Sequence, residues 1–376
     1  MSKFLVVKVG GSILRDSRSY LDVASKIANY PITPNKALIV VVSAAKGVTD
    51  NLINACEGDK ASLEKVVNFY LEVARDVGGY NLEIAIQKYL KELEGLVRST
   101  TACEGLFKDV VLSYGERVSK ALLLNALKNE GIKVSDLNAI DLIVARGKSD
   151  SVVIDYKATK TRLTPTLAKV LRSSKVALIE GFIASNSEGF TVTLGRGGSD
   201  YTASSIASLV NAEEVHLITD VPGVFTADPT YVDNVKVVRN LSLAEALEAS
   251  RHNVKRLHIK TFEPMRLFNY PRVLKIRSFD SLGTTISRVS NGNCSEGVVK
   301  TIAVKTIGKN SEIVLIGEGI RKNIAVIRKT LETLEKSVNL IENLRLSSSK
   351  ASLILEIPAI NHVKEVVREI HDAVIG

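Results

Sequence analysis

Residues 178–204 read LIEGFIASNSEGFTVTLGRGGSDYTAS and combine strand patterns, a glycine-rich turn and the start of a helix. The apolar run Val176–Ile179 predicts a buried strand, and alternating threonine and apolar residues over Phe190–Leu194 predict a second one. Three glycines and an Ala/Ser-rich helix follow. Because unpaired backbone amides and a helix dipole converge at such a turn, the stretch is typical of a phosphate or anion site.

The same loop carries two charged side chains, Arg196 and Asp200, four residues apart. Arg196 can hold an anion through two parallel hydrogen bonds, and Asp200 can hold a metal ion or an ammonium group. For the loop taken alone, an ordinary turn with a salt-bridged arginine is the alternative interpretation. The remaining motifs of the chain favour the ligand site.

Length and charge limit the classes of protein. The 376 residues, 45% of them hydrophobic, are enough for two or three domains with sizeable cores. No apolar run approaches the ~18–20 residues of a membrane span, and the strand Phe4–Val9 leaves no room for a signal peptide. We therefore expect a cytoplasmic protein without a membrane partner. The formal charge is +9, but the basic residues are interspersed with acidic ones, so we expect no nucleic acid partner.

The metal-ligating residue types show no metal pattern. Cys56, Cys103 and Cys294 are scattered without metal-ligand spacing, and the five histidines also form no such pattern. We expect no protein metal site. Scattered cysteines suit a reducing compartment.

Two early strands end in residues suited to a ligand. Lys3–Val9 is followed by Gly10-Gly11-Ser12, where the glycines admit backbone amides close to a ligand and Lys8 adds a point charge. This is neither a Walker loop, since the lysine precedes the glycines, nor a dinucleotide fingerprint. The buried strand Lys36–Val42 runs into Ser43 and then Thr49, which again indicates a ligand at the carboxyl edge of a parallel sheet.

The middle of the chain predicts further helices and strands. Residues 60–98 predict a helical hairpin broken at Gly78-Gly79, and residues 113–119 are expected to open a helix with Glu116 as a charge near its start. Strand Glu214–Ile218 ends in Thr219-Asp220. Strands alternating with helices over ~280 residues predict a three-layer αβα sandwich with a mostly parallel sheet.

Taken together, five motifs resemble one family. They are Lys8-Val-Gly-Gly-Ser12, Val42-Ser-Ala-Ala-Lys-Gly-Val-Thr49, Gly115-Glu-Arg-Val-Ser119, Leu194-Gly-Arg-Gly-Gly-Ser-Asp-Tyr-Thr202 and the run from Thr219-Asp-Val to Thr-Ala-Asp-Pro229. Their order is similar to that in aspartate kinases of the amino-acid kinase superfamily. Single motifs are shared with glutamate, carbamate and uridylate kinases, whereas the Gly-Glu-Arg and Gly-Arg-Gly-Gly-Ser-Asp blocks are more specific. The resemblance covers residues 1–288 and continues into a C-terminal ACT-like region.

The resemblance implies transfer of the γ-phosphoryl group of ATP, with Mg²⁺, to the β-carboxylate of L-aspartate, the first step towards threonine, methionine and lysine. The catalytic residues it implies are Lys8 and Asp200. The substrate residues it implies are Ser43, Thr49, Glu116, Arg196 and Ser199. The nucleotide residues it implies are Lys8, Gly10, Gly11, Ser12, Thr219, Asp220, Phe225, Asp228 and Lys255.

This chain departs from the family pattern at two positions. Thr230 stands where the family often has an arginine, and Ile259 stands where it usually has a proline. Both departures concern the nucleotide side. Two alternative functions are a sister kinase acting on another small acid and a catalytically inactive regulator that binds amino acids through the ACT-like region.

The C-terminal part is expected to form a second domain. We predict a kinase domain over 1–289 and an ACT-like domain over 297–376, joined by a short polar linker. From Glu312 the pattern is β-α-β-β-α, which lacks the last strand of an ACT fold, and the spare strand Val298–Thr306 can fill that place. The resemblance implies a homodimer or higher oligomer through this domain. It lacks the second, inserted ACT unit, so we expect threonine or lysine to inhibit weakly or not at all.

Overall fold

The structure, a computed structural model, describes residues 3–33, 35–99, 103–147, 151–288, 297–308, 310–337, 344–358 and 363–375. The chain divides into two units. The first comprises Met1–Asp220 with Arg266–Pro271, and the second comprises Val221–Met265 with Arg272–Gly376. Within the described residues, no helix has the length and apolar composition that a membrane crossing requires.

Strands and helices alternate through the first unit. In chain order they are β1 (Phe4–Val9), α1 (Ser17–Ala28), β2 (Ala37–Val42), α2 (Val48–Cys56), α3 (Lys60–Ser99), α4 (Gly105–Asn129), β3 (Val134–Asp136), α5 (Ala139–Leu142), β4 (Ala145–Arg146), β5 (Val153–Ile154), α6 (Tyr156–Ser173), β6 (Val176–Glu180), β7 (Ile183–Ser185), β8 (Thr191–Thr193), α7 (Gly198–Leu209) and β9 (Glu214–Ile218). Five strands pair in parallel in the order β9-β1-β2-β6-β3. The predicted α/β fold with a mostly parallel sheet is confirmed.

The sheet forms the central layer of this unit. All six residues of β2 are apolar and buried, so this strand needs cover on both of its faces. Helix α4 contacts β2, β3 and β6 and also packs against α1, α2 and α3, while α7 contacts β1, β2 and β9. The apolar strands thus lie between layers of helix, with their carboxyl ends at one edge.

Helix α3 contains the predicted hairpin. Its residues are helical except at Gly79, where φ is 64° and ψ is −160°. A positive φ of this kind is adopted readily by glycine and rarely by other residues. The break at Gly78-Gly79 is therefore confirmed.

Two of the three cysteines are joined. Cys56 ends α2, Cys103 lies just before α4, and their sulfurs form a disulfide between residues 47 apart in the chain. These two cysteines are therefore not isolated in the folded chain, and the reducing compartment stays a prediction. The third cysteine, Cys294, lies outside the described residues.

Helix α4 corrects the prediction for Glu116. The helix begins at Gly105, so Glu116 lies in its middle and is only 3% exposed, rather than being a solvated charge at a helix start. Gly115 does not end a helix here. A Cβ at Gly115 would lie 2.9 Å from the Cβ of Ala44, so glycine allows α4 to approach the end of β2 closely.

The remaining elements, in chain order, are β10 (Asn240–Ser242), α8 (Leu243–Arg251), α9 (Ile259–Leu267), β11 (Val273–Arg277), β12 (Thr284–Ser287), β13 (Thr301–Ile307), β14 (Asn310–Ile316), α10 (Ile324–Ser337), β15 (Arg345–Ser348), β16 (Ser352–Pro358) and α11 (Val363–Val374). In the second unit β12 pairs with β10 in parallel and with β11 in antiparallel fashion. The last four strands form an antiparallel sheet in the order β13-β14-β16-β15.

In this sheet β13 pairs with β14 along its whole length, antiparallel from Thr301–Ile316 to Ile307–Asn310. The core of this sheet also contains Ala227 and Val232, which precede the predicted linker. Ala227 forms a bridge with Ile302 on β13. The predicted boundary at 289–297 remains a prediction, and residues on both sides of it share one core in this unit.

Candidate active site

The first unit joins the two predicted catalytic residues. Lys8 lies near the end of β1 and Asp200 in the first turn of α7. The Nζ atom of Lys8 is 2.7 Å from Oδ1 of Asp200, and both side chains are partly buried, at 14% and 22% exposure. Since α7 packs on β1, the glycine loop before α7 meets the glycines after β1 at one edge of the sheet. The two motifs that the sequence separates thus meet at one ion pair.

The glycines after β1 lie where a side chain would collide with neighbouring backbone. The Gly10 amide donates a 3.0 Å hydrogen bond to the Ile218 carbonyl. A Cβ at Gly10 would lie 2.7 Å from that carbonyl oxygen and 3.3 Å from the Lys8 Nζ, and one at Gly11 would collide with the Ala44 carbonyl oxygen. The glycines therefore let the main chain after β1 pass close to two backbone carbonyls, and the Lys8 ammonium group is the cation beside this turn that suits an anionic ligand.

Three predicted nucleotide residues lie together at the ends of β1 and β9. The hydroxyl oxygens of Ser12 and Thr219 are 3.2 Å apart. The Thr219 hydroxyl lies 3.1 Å from Oδ1 of Asp220 and donates a hydrogen bond to it. The structure thus brings Ser12, Thr219 and Asp220 into one polar cluster in the first unit.

Helix α4 holds the loop after β2. The Ala44 amide donates to Oε1 of Glu116 at 3.1 Å, and the Ser119 hydroxyl donates to the Ser43 carbonyl at 2.7 Å. The Tyr70 hydroxyl donates a hydrogen bond to the Gly115 carbonyl at 2.7 Å and accepts one from the Ala45 amide of the loop. These bonds fix the loop backbone relative to Glu116.

Glu116 has an unusual electrostatic environment. Burial, and secondarily the charge of Glu180, raises the pKa of Glu116 to about 8, although the Ala44 hydrogen bond and the charge of Lys8 oppose this. Its Oε2 atom is buried and has no hydrogen-bond partner among the described residues, and the same holds for the Ser43 hydroxyl. Because leaving a buried polar atom unpaired is costly, these two atoms favour a ligand that supplies donors.

The other predicted substrate residues lie on nearby elements. Arg196 is exposed between Gly195 and Gly197, whose φ angles are 74° and 73°. Ser199 is 9% exposed, and a Cβ at Gly181 would lie 2.9 Å from its hydroxyl. Within the described part of the chain, the side chains of Arg196 and Thr49 (in the first turn of α2) form no hydrogen bond or ion pair.

Sequence reasoning missed a second buried charged group near Glu116. Glu180 ends β6 and is 2% exposed. Its Oε1 atom is 2.7 Å from the Nζ of Lys120, one helical turn after Glu116, and its Oε2 accepts from the Ala139 amide at 2.9 Å. The sequence could have indicated Glu180, because it is a carboxylate at the end of a predicted parallel strand. It could not have indicated the contribution of Tyr70, because the hydrogen-bond partners of Tyr70 lie far away in the chain.

The second unit contains the other predicted nucleotide residues. Lys255 Nζ lies 2.8 Å from Oδ2 of Asp228. Burial raises the pKa of Asp228, but hydrogen bonds from Lys255 and Thr230 outweigh it and lower the pKa overall. A cavity of about 280 Å³ in this unit is lined by residues that include Phe225, Asp228, Thr230, Tyr231, Val254 and Lys255. No cluster of His, Cys, Asp or Glu that could hold a metal ion occurs among the residues described.

The first unit is therefore a parallel α/β structure with the Lys8–Asp200 ion pair at the carboxyl edge of its sheet. The Amino acid kinase family profile matches residues 3–274. Since that is well over half of the sequence, the chain belongs to the amino acid kinase family.

Similar proteins include two curated relatives and a solved structure. The aspartokinase of Rickettsia felis is 31% identical over 302 residues, which covers 79% of this chain and 64% of that protein. The bifunctional aspartokinase/homoserine dehydrogenase of Buchnera aphidicola is 30% identical over 310 residues, covering 77% of this chain and 37% of that protein. The crystal structure of E. coli aspartokinase III with aspartate and ADP has a TM-score of 0.85 at 20% identity, covering 99% of this chain and 100% of that one. The chain thus spans between a third and two thirds of the length of the curated relatives, and the structural match concerns the fold.

Proposed function

We propose that this chain is an aspartate kinase, which transfers the γ-phosphoryl group of ATP to the β-carboxylate of L-aspartate. The observation that carries the proposal is the unpaired, buried Oε2 of Glu116 in the same unit as the Lys8–Asp200 pair. The Glu116 carboxylate suits an ammonium ion, and the Lys8–Asp200 pair suits a phosphoryl group. The names of the similar proteins, and the aspartate and ADP in the E. coli structure, support this choice of substrates.

The amino acid is assigned to the groups around α4 and the loop before α7. Glu116, once ionised, pairs with the α-ammonium group, and Arg196 holds the α-carboxylate through two hydrogen bonds. Ser43, whose hydroxyl is buried and unpaired, supplies a neutral polar contact, as do Thr49 and Ser199. Recognition of both α-substituents would select an amino acid over a plain dicarboxylic acid.

The phosphate end is assigned to the residues after β1. Lys8 stabilises the charge on the transferring group, and the Gly11 amide with Ser12 binds the neighbouring phosphate oxygens, while Gly10, whose amide is bonded to the Ile218 carbonyl, keeps side-chain atoms away from the phosphate. Asp200 orients Lys8 at 2.7 Å. Mg²⁺ is bound in such enzymes largely by substrate phosphates and one or two carboxylates, and Asp200 is the carboxylate that fits here.

The reaction needs no general base. The β-carboxylate of aspartate, with an ordinary pKa of ~3.9, is ionised at neutral pH. One of its oxygens attacks the γ-phosphorus, the bond from that phosphorus to the β,γ-bridging oxygen breaks, and ADP leaves with the electron pair. The product is the acyl phosphate 4-phospho-L-aspartate. The task of the protein is then to position two anions in line and to offset their charge.

The remaining nucleotide residues are assigned from the family resemblance. They are Thr219, Asp220, Phe225, Asp228 and Lys255. In support, Lys255 and Asp228 line one cavity together with the aromatic ring of Phe225. Thr230 lines the same cavity, so the departure from arginine removes a charge there.

A homodimer or higher oligomer is proposed through the C-terminal sheet. Strand β15 lies at an edge of this sheet and all four of its residues are exposed. Ile324 and Leu331 of α10 are also exposed, at 78% and 37%. An uncovered strand edge is a ready pairing surface. Light scattering of the full chain tests this, and a monomeric mass at micromolar concentration would contradict it.

The proposed activity is tested with purified protein, Mg²⁺-ATP and a panel of acids comprising aspartate, glutamate, β-alanine, succinate and acetate. Acyl phosphate is trapped as a hydroxamate and ADP is measured by a coupled assay. We expect hydroxamate with aspartate and at most weak signals otherwise. Turnover of another acid in preference to aspartate would indicate a sister kinase. Amino acid binding without any turnover would indicate an inactive regulator.

A further inference from the structure

Asp109 and Thr193 form a short contact away from the groups assigned above. Asp109 lies in the first part of α4, and Thr193 is the last residue of β8. The Thr193 hydroxyl donates to Oδ1 of Asp109 at 2.5 Å. One carboxylate thus holds the side chain of a residue 84 positions away in the chain.

The two ends of this contact lead to the two groups assigned to the amino acid. Asp109 precedes Glu116 by seven residues on α4, which is about two helical turns, so both carboxylates project from the same side of the helix. Thr193 precedes Arg196 by three residues. The contact therefore ties the loop of Arg196 to the helix of Glu116.

Helix α4 packs against β8, and the Asp109–Thr193 bond adds a directional polar link to that packing. The pairs Ile183–Thr193 and Ser185–Thr191 hold β7 to β8, which keeps the hairpin together without joining it to α4. Arg196 itself lies between two glycines with positive φ, Gly195 and Gly197, in a tight turn closed by the bond from the Gly198 amide to the Gly195 carbonyl, so its position follows that of the strand end before it. Its side chain is exposed and has no ion pair within the described residues.

We propose that Asp109 is a positioning residue that holds the hairpin β7–β8 on α4 and so sets the distance between Arg196 and Glu116. This proposal rests on the proposed function, because it takes these two residues as the partners of the α-carboxylate and α-ammonium groups. Asp109 touches no substrate. It selects for the amino acid by holding Arg196 where the α-carboxylate arrives.

The test compares Thr193→Val, which removes the hydroxyl at nearly constant volume, with Thr191→Val on the same face of the hairpin as a matched control. Asp109→Ala is the partner variant. We expect a rise of about tenfold to hundredfold in the KM for aspartate in Thr193→Val and Asp109→Ala, as for loss of a hydrogen bond to a charged group. The KM for ATP should change less than about twofold. Thr191→Val should resemble the wild type.

Two truncated substrates separate positioning from a general loss of structure. β-Alanine lacks the α-carboxylate of aspartate, and succinate lacks the ammonium group. In Thr193→Val the preference for aspartate over β-alanine should shrink, while the preference over succinate should persist. A uniform loss for all three substrates together with a lower Tm would overturn the proposal, as would unchanged kinetics. The double variant should add nothing to either single one, because both remove the same contact.

A second readout does not depend on the substrate. Hydrogen exchange of the amides over residues 190–198 in the ligand-free protein should be faster in Thr193→Val than in Thr191→Val. If the wild type does not phosphorylate aspartate, the proposed function fails, yet this exchange measurement still tests the tie. Equal exchange in the two variants would overturn the positioning role whatever the substrate is.

Discussion

The Nζ atom of Lys8 lies 2.7 Å from Oδ1 of Asp200, so one ion pair joins the end of β1 to the first turn of α7. A lysine so held by a carboxylate is oriented before a ligand binds. It needs little reorganisation when charge develops on a transferring phosphoryl group. This is the relationship on which the phosphate half of the proposed site depends.

Replacing Lys8 by alanine should lower kcat by at least about 10³, because a point charge at the transferring group is lost. The fold should persist, as checked by circular dichroism and the Tm. Lys3→Ala, at an exposed lysine just before β1, is the matched control and should keep wild-type turnover. Near wild-type kcat in Lys8→Ala would remove Lys8 from the mechanism.

The KM for aspartate should depend on pH through Glu116. Its pKa of about 8 means that Glu116 is protonated at neutral pH without ligand, so binding of an ammonium group must release its proton. We therefore expect this KM to fall by up to about tenfold per pH unit between pH 6 and 8 and to level off above. The KM for ATP should not follow this curve. Glu116→Gln should raise the KM and abolish its pH dependence, and a persisting slope would assign the titration to another group.

Arg196→Lys should raise the KM for aspartate much more than that for ATP. Lysine keeps the charge but loses the planar pair of donors that fits a carboxylate. The exposed Arg146 on β4 provides a control, since Arg146→Lys should leave both constants unchanged. Should the KM for ATP rise instead, Arg196 contacts phosphate and the division of the site is wrong.

Glu248 on α8 should stabilise the second unit. Its Oε1 accepts hydrogen bonds from Ser352 at 2.6 Å and Ser349 at 2.9 Å, while Oε2 accepts from Arg251 at 2.8 Å. Glu248→Ala leaves two serine hydroxyls without this partner, so the free energy of unfolding should fall by about 1–3 kcal/mol in urea titrations. Ser349→Ala and Ser352→Ala should each cost less than Glu248→Ala. A change within error for Glu248→Ala would show that water replaces the carboxylate.

The stability from Glu248 should also depend on pH. Burial raises its pKa, but the hydrogen bonds from Ser352, Ser349 and Arg251 outweigh this, so the pKa lies below its ordinary value. A depressed folded-state pKa stabilises the protein above the unfolded-state pKa and loses that effect as the pH falls through the folded-state value. The difference in Tm between wild type and Glu248→Gln should therefore shrink as the pH is lowered from 7 towards 3. A difference that stays constant over this range would assign the effect to packing.

A chain cut after Arg288 should lose solubility as well as any dimer. The cut removes β13 and the rest of the C-terminal sheet, whose core includes Ala227 and Val232. These apolar side chains would then be exposed. Size-exclusion chromatography with light scattering should show aggregates for the truncated chain and a defined oligomer for the full one. A soluble, cooperatively melting fragment would contradict the shared core.

The parts of the fold that local patterns determine could be predicted from the sequence. Apolar runs gave β2 and β6, and glycines beside charges predicted where Lys8 and Asp200 lie, because the carboxyl ends of parallel strands meet at one edge. Glu116 was misplaced near a helix start, because α4 already begins at Gly105 and Gly115 lies inside it, close to Ala44. That packing joins residues distant in the chain, which no local pattern shows.

Contacts between distant residues could not be predicted in this way. The bond between Asp109 and Thr193 spans 84 positions, and the disulfide between Cys56 and Cys103 spans 47. In the sequence, no motif and no characteristic spacing marks either pair as a contact. Such pairs depend on how α4 packs against the β7–β8 hairpin and on where α2 ends, which only the assembled tertiary structure determines.

The core that Ala227 and Val232 share with the C-terminal sheet has a consequence for recombination between related enzymes. A crossover in the polar segment 290–296 looks attractive because it lies between two predicted domains. Such a chimera would pair residues 225–232 of one parent with β13 of another, and the bridge from Ala227 to Ile302 would join mismatched surfaces. A functional exchange of the C-terminal sheet therefore requires that residues 221–232 come from the same parent as the sheet. The unit that can be exchanged between relatives thus includes this loop as well as the C-terminal residues.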